Sequence, residues 1–326
     1  MKILIIRLSS LGDVVLSTPI PRLLKKKFPT SEIHFVIKKE FCSVYNYNIN
    51  VDNVIEFNDN LLEVTSKLKN ENYDMVIDLH NNLRSNFIKF MLRKPFLTYK
   101  KQFIKRWLLT NFKIPVKINH ISNSYIDCLS NLKIKDDGEG LDFYIDETSF
   151  NKVKSLPGII DKNFTVLIVG AKHFTKRLPI KKLIELCDKI NGPIVLVGGK
   201  NEMESGKELE SFFNYSKNPE VSGKLNKKTI IYNYCGKLSI QESASILKLS
   251  KIVYSHDTGF MHIAAALNKN VVSIFGSTHP DLGFYPYRTS FSIIQNNNLD
   301  CRPCTKIGFS SCPAGHFKCM MDIKFD

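Results

Sequence analysis

The apolar residues of this chain fall into two kinds of run. Short unbroken ones, such as Ile3-Leu4-Ile5-Ile6, Met75-Val76-Ile77, Val166-Leu167-Ile168-Val169 and Ile194-Val195-Leu196-Val197, are too uniformly hydrophobic for strands with one wet face. They suit parallel strands covered on both sides. Between them lie stretches whose apolar positions recur at helical spacing. In the first half the pattern predicts strands over 1–8, 32–37, 51–57 and 74–79, and helices over 14–28, 61–69, 84–92 and 103–111. Pro19 and Pro21 must fall near the first turn of the 14–28 helix or kink it. The alternation breaks over 133–140 and again at Leu156-Pro157-Gly158. A second series follows, with strands over 164–169, 193–197, 229–232, 251–254 and 270–275 and helices over 180–190, 203–213 and 240–249. The expected fold is α/β, with two doubly wound, Rossmann-like domains facing across a cleft. The expected division is 1–155, 156–298 and a Cys-rich extension over 299–326.

Ligands of open parallel sheets bind beyond the carboxyl ends of the strands, so the loops there were read first. Ser255-His256-Asp257-Thr258-Gly259-Phe260-Met261-His262 joins an apolar strand to a small-residue helix. The first amides of such a helix lack intrahelical partners and face the positive end of its dipole, which suits a phosphate or diphosphate. Lys172, His173, Lys176 and Arg177 follow the first strand of the second series. They either meet that diphosphate or form a solvated basic loop. Glu202, after Gly198-Gly199, either contacts a ribose or simply opens a helix, where acids are favoured. Asp13, after Ser9-Ser10-Leu11-Gly12, either acts as a general base or caps its helix. His256 and His262 read more readily as satisfied core residues. The three-glycine dinucleotide fingerprint, the Walker loop and Gly-x-Ser-x-Gly do not occur.

Charge and cysteine usage sharpen the picture a little. The 326 residues carry a net charge of +15, which favours an anionic partner. A chain so rich in Lys, Asn and Ile also owes part of that excess to codon bias. Runs such as Lys25-Lys26-Lys27 and Lys100-Lys101 crowd the first third. The amino-terminal run is too short and too soon polar for a signal peptide, and no stretch reaches membrane-span length, so a cytoplasmic protein is expected. Cys301, Cys304, Cys312 and Cys319 crowd the last 26 residues, with His316 among them. They are either reduced thiols packing an extension or the four ligands of a structural zinc ion.

Together, Arg7-Leu8-Ser9-Ser10-Leu11-Gly12-Asp13-Val14-Val15 with Thr18-Pro19, and Asp257-Thr258-Gly259-Phe260-Met261-His262-Ile263-Ala264-Ala265, resemble the two signatures of glycosyltransferase family 9. These are the heptosyltransferases of lipopolysaccharide core assembly. The resemblance covers nearly the whole chain and implies a GT-B fold. It implies an inverting transfer of heptose, or a related sugar, from an ADP-sugar to an inner-core or related glycolipid acceptor. It places the base on Asp13 and the donor diphosphate on Lys176, Asp257, Thr258 and Gly259. Leu178 stands where the family commonly has Trp after that lysine. Glu202 is the candidate for the nucleoside. Ser10, Gly12 and His262 would stand beside the acceptor or behind the reacting groups. No cofactor is required for catalysis. The implied partners are the nucleotide-sugar and an anionic glycolipid at the cytoplasmic face of the inner membrane, met by peripheral contact, with no nucleic acid.

Two other readings compete. A chain of this fold could epimerise or hydrolyse a nucleotide-sugar. A basic nucleic-acid- or phospholipid-binding protein would interleave aromatics with cations on an exposed face. Phe103, Trp107 and Phe112, near Lys101, Lys105, Arg106 and Lys113, are the candidate stretch. Their helical spacing predicts instead that the stretch buries one face and exposes the other.

Overall fold

The computed structural model describes residues 1–160, 163–215 and 229–325, folded as two compact units. The first comprises Met1–Phe103 and Asn119–Tyr144; the second comprises Ile104–Ile118 and the chain from Ile145 onward.

In the first unit, β1 (Lys2–Ile6), β2 (Glu32–Lys38), β3 (Asn53–Phe57), β4 (Met75–Asp78) and β5 (Phe96–Thr98) form one parallel sheet in the order β3-β2-β1-β4-β5. The unbroken apolar run of β1 is buried from Ile3 to Ile6, as a central strand covered on both faces must be. Its helices are α1 (Leu11–Leu16), α2 (Pro19–Lys27), α3 (Leu61–Asn70), α4 (Leu83–Leu92) and α6 (Ile121–Asp127); α5 (Phe103–Phe112) belongs to the second unit from Ile104 on. The helix expected over 14–28 is therefore two. Pro19 opens α2 at its first position, where a missing N–H is harmless, and α1 ends before it.

The second unit holds a parallel sheet of β6 (Thr165–Ile168), β7 (Pro193–Val197), β8 (Ile230–Asn233), β9 (Ile252–His256), β10 (Asn270–Phe275) and β11 (Phe291–Gln295), in the order β11-β10-β9-β6-β7-β8. Around it run α7 (Glu147–Lys154), α8 (Ile180–Lys189), α9 (Met203–Tyr215), α10 (Ile240–Leu249), α11 (Gly259–Ala266) and the short α12 (Lys318–Met321).

The units divide at Tyr144, ahead of the expected 155, because α7 packs on α10. An ion pair between Lys152 and Glu242 and a 3.2 Å bond from the Asp146 N–H to Gln241 Oε1 tie the two together. Residues 299–325 are part of this unit's core as well. Cys319, Met320, Ile323 and Phe325 pack with Leu183, Leu186 and Ile274. No helix among the described residues is long and apolar enough to cross a membrane.

Each sheet has a switch point, where the chain leaves one strand outward and returns to its other side. In the first sheet it lies between β1 and β4; in the second, between β6 and β9. The loops beyond such neighbouring strands diverge and leave a crevice for a ligand.

Candidate active site

Asp13 lies at the first switch point. It is the third residue of α1, and its Oδ2 accepts from Ser10 Oγ at 2.9 Å and from the Ser10 N–H at 3.4 Å. Ser10, not Asp13, is therefore the N-cap of α1, and Asp13 reaches back to its N–H from the third helical position. That contact coexists with a second set of contacts on Oδ1, from the Arg7 guanidinium at 2.8 Å and the Tyr125 hydroxyl at 3.4 Å. Burial pushes the Asp13 carboxyl up, but Arg7 and the Ser10 bonds outweigh it and hold the group below its ordinary value. Its side chain keeps 22% of its surface open to solvent. Arg7 is itself buried and anchored by a 2.6 Å bond to the Leu79 carbonyl.

The neighbouring loop, after β4, is organised by a fully buried carboxylate. Asp78 accepts from the backbone of His80 and Asn81 at 2.9 and 2.8 Å, from Ser85 Oγ at 3.0 Å and from Lys89 at 2.8 Å. This fold brings His80 and Lys101 into the electrostatic field of Arg7 and Asp13. Burial, then Arg7, pushes the His80 imidazole down to about 4, so it is neutral near pH 7. Its Nδ1 is buried with no hydrogen-bond partner among the described residues. Arg7, His80, Lys101 and Tyr125 were not picked from the sequence as site residues. The readable signal was an Asp closing an otherwise apolar strand, since a buried carboxylate must organise something around itself.

At the second switch point, the loops after β6 and β9 meet. Lys176 Nζ lies 2.7 Å from Asp257 Oδ2 and 3.3 Å from the Asp257 carbonyl. Thr278 Oγ1 donates to the same Oδ2 at 2.8 Å. A lysine ammonium has three N–H donors, and these contacts engage two. Thr258 occupies the N-cap of α11 but makes no capping bond, and its Oγ1 is buried without a partner among the described residues. Gly259 opens the helix.

His256 fixes the two loops to each other. Its Nδ1 lies 3.1 Å from the Ile168 carbonyl, and its Nε2 lies 3.0 Å from the Leu178 N–H. A neutral ring that donates from Nδ1 and accepts at Nε2 satisfies both. Burial keeps it neutral, with a pKa near 4. The expectation of a satisfied core histidine holds at this position. Leu178 contributes its N–H to that bond and buries its side chain in the core.

Glu202 comes to the same end of the sheet. Its carboxylate accepts from the Gly199 N–H at 3.0 Å and lies 3.6 Å from Arg177. It also packs so close to Gly170 that a Cβ there would come within 2.2 Å of it, which is why a glycine stands in the loop after β6. Of the other candidates, Ser10 and Gly12 are beside Asp13, whereas His262 is buried on α11 in the second unit and so belongs with the Asp257 loop.

The lysine loop rests on the Cys-rich segment. Thr175 is buried and exchanges backbone and side-chain hydrogen bonds with Phe309, while its Oγ1 also accepts from Ser277 at 2.8 Å. Arg302 pins that segment through the carbonyls of Phe275, Gly276, Thr278 and Asn296. The four cysteines are free thiols. Cys304 donates to the Cys301 carbonyl at 3.0 Å, and Cys301 lies 3.9 Å from His316. Among the described residues, no three His, Cys, Asp or Glu side chains are arranged to hold a metal ion.

Two parallel sheets, each with a carboxylate–cation pair at its switch point, define an α/β protein built to hold ligands beyond its strand ends. The family model for glycosyltransferase family 9 (heptosyltransferase) matches residues 61–313. The chain belongs to that family, and it is a glycosyltransferase. It is 24% identical to lipopolysaccharide heptosyltransferase 1 of Campylobacter coli, over 92% of this chain and 89% of the relative. Among solved structures it is similar to the ADP-heptose lipopolysaccharide heptosyltransferase II of E. coli, with a TM-score of 0.71, 20% identity and 92% of each chain covered. It is also similar to an E. coli heptosyltransferase solved with ADP, with a TM-score of 0.67, 22% identity, and 93% and 97% of the two chains covered.

Proposed function

We propose that this chain transfers a heptose, or a closely related sugar, from an ADP-sugar to an inner-core or related glycolipid acceptor, with inversion at the anomeric carbon. The relatives named above are heptosyltransferases, and one related structure contains ADP. The observation that carries the mechanism is Asp13, a carboxylate held ionised by Arg7 and Ser10 yet open at one edge.

Asp13 takes the proton of the acceptor hydroxyl. That oxygen attacks the anomeric carbon from the face opposite the diphosphate, and the carbon–oxygen bond to the diphosphate breaks with its electron pair. The transition state has oxocarbenium character, as in other glycosyl transfers. Charge grows on the departing ADP. In this reading the third N–H of Lys176 and the first amides of α11, at Thr258 and Gly259, meet it. Asp257 and Thr278 hold the lysine in position, and Glu202 is the proposed contact for the nucleoside.

A glycolipid acceptor lies in a membrane, so the enzyme works in peripheral contact with the cytoplasmic face of the inner membrane. The acceptor's carboxylates and phosphates suit the cations around Asp13.

The test is a thermal-shift titration against ADP, UDP, GDP and CDP, followed by transfer from ADP-heptose to a core acceptor. A ligand that binds only the native state raises the melting temperature. A selective shift with ADP and formation of a glycosylated acceptor are expected. A selective shift with another nucleotide overturns the donor, and turnover of donor without an acceptor overturns the transfer.

A further inference from the structure

The helix with the aromatic stretch does bury one face, but the aromatic residues are on the other. In α5 the buried residues are Arg106, Leu109 and Thr110. Ile104, Trp107 and Phe112 are exposed, at 71%, 41% and 58%, and Ile114 just beyond the helix is exposed at 45%. Arg106 accounts for this arrangement. Its Nε donates to the Leu282 carbonyl at 3.1 Å, and its guanidinium lies 5.3 Å from the centre of the Phe284 ring. A cation is therefore held inside by a carbonyl and an aromatic face, and the large apolar side chains are left on the surface.

Isolated exposed hydrophobic residues need no explanation, but a contiguous group of them marks an interaction site. Here Trp107 and Phe112 touch edge to face, with ring centres 4.9 Å apart. The chain that carries them has charge of one sign: residues 104–118 contain four Lys or Arg and no Asp or Glu. Lys105 and Lys113 are exposed and donate to backbone carbonyls, of Lys117 and of Thr110 and Pro303 respectively, and neither forms an ion pair among the described residues. An apolar helix face with aromatic residues and a basic rim matches an anionic bilayer surface, which accepts the rings at headgroup depth and the cations at the phosphates. Single-stranded nucleic acid would be met by aromatic platforms rather than by exposed isoleucines.

We propose that Ile104, Trp107, Phe112 and Ile114, rimmed by Lys105, Lys113 and Lys117, form the surface by which this chain docks on anionic lipid. This extends the glycolipid reading above, because it names the face that meets the membrane.

Trp107 is the chain's single tryptophan, so its fluorescence reports this face alone. The experiment uses the full chain with vesicles of phosphatidylcholine, or of phosphatidylglycerol and phosphatidylcholine in equal parts. With the anionic vesicles, Trp107 emission should move to the blue and become shielded from iodide, and the protein should sediment with the lipid. Both effects should fade at high salt. Ile104→Ser combined with Phe112→Ser should abolish them, and Lys105→Glu combined with Lys117→Glu should weaken partitioning about tenfold. All of these positions are exposed, and an unchanged melting temperature would show that the variants fold.

Three results overturn the proposal: no blue shift and no sedimentation, a blue shift that grows with protein concentration in the absence of lipid, or displacement from vesicles by single-stranded RNA. The first two would point to an unused face and to a second copy of the chain. Transfer to a soluble, delipidated acceptor fragment tests the catalytic reading separately. Failure on vesicles with transfer intact removes only the docking surface.

Discussion

Asp13 and Asp257 occupy matching places in two different sheets. Each lies just beyond the carboxyl end of a switch-point strand, at or beside a helix start, with a cation at 2.8 Å in one case and 2.7 Å in the other. They differ in what remains free. Asp257 is closed over: Lys176 and Thr278 both engage its Oδ2, and 9% of its side chain is exposed. Asp13 keeps 22% exposed, and its partner Arg7 is a buried guanidinium tied to the backbone. Under the roles proposed above, the open carboxylate with its fixed cation serves as the proton acceptor, and the closed carboxylate holds its cation for the donor.

The strongest attempt to break this contrast is Asp13→Asn. The side chain keeps its shape and loses its basicity, so transfer should fall about a thousandfold or more while ADP affinity stays unchanged. Initial rates beside a nucleotide titration decide it, and a loss of less than tenfold would sink the assignment.

Lys176→Met should do the reverse. Donor affinity should weaken about ten- to a hundredfold, and the melting temperature should drop because Asp257 loses its counter-charge. The same nucleotide titration and a thermal melt measure both.

Arg7→Gln sharpens the comparison through pH. Arg7 keeps the Asp13 carboxyl below its ordinary value against burial. The base works while ionised, so activity is lost as the pH falls through its pKa. Without Arg7 that pKa rises, and the acidic limb of kcat/KM should move upward. An unmoved limb would mean that Asp13 is not the titrating group.

The smallest effect expected is that of Thr175→Val. Deleting the hydroxyl shared by Phe309 and Ser277 should destabilise the protein by about 1–2 kcal/mol and weaken ADP binding a few-fold. Transfer at saturating donor should be unaffected, since Thr175 positions Lys176 rather than touching substrate.

Nine of the eleven strands among the described residues, all but β5 and β11, and both signature loops were readable from the chain because their information is local. Uninterrupted apolar runs mean strands covered twice, and a strand followed by Asp-Thr-Gly and small residues means a helix start. What was missed depends on distant partners. The buried face of α5 is decided by Leu282 and Phe284, more than 170 positions away in sequence, and no local periodicity contains that. His80 joins the Asp13 site because β4 pairs with β1, a pairing visible only once the strand order is known. Pro19 was correctly flagged as a constraint, but whether it kinks one helix or starts another depends on how the residues before it end α1.

The placement of Ile323 and Phe325 in the core of the second unit has a consequence for timing during synthesis. Everything in the first unit has been translated once Tyr144 is made, whereas the second unit's core stays incomplete until Phe325 has emerged. At ordinary translation rates those two moments are roughly nine to thirty-six seconds apart. Through that interval Arg106 has been made but its carbonyl partner, Leu282, comes late. The apolar, basic segment around Trp107 therefore spends much of synthesis without the second-unit residues that will hold it, and a chaperone or an anionic membrane could engage it before the enzyme is whole.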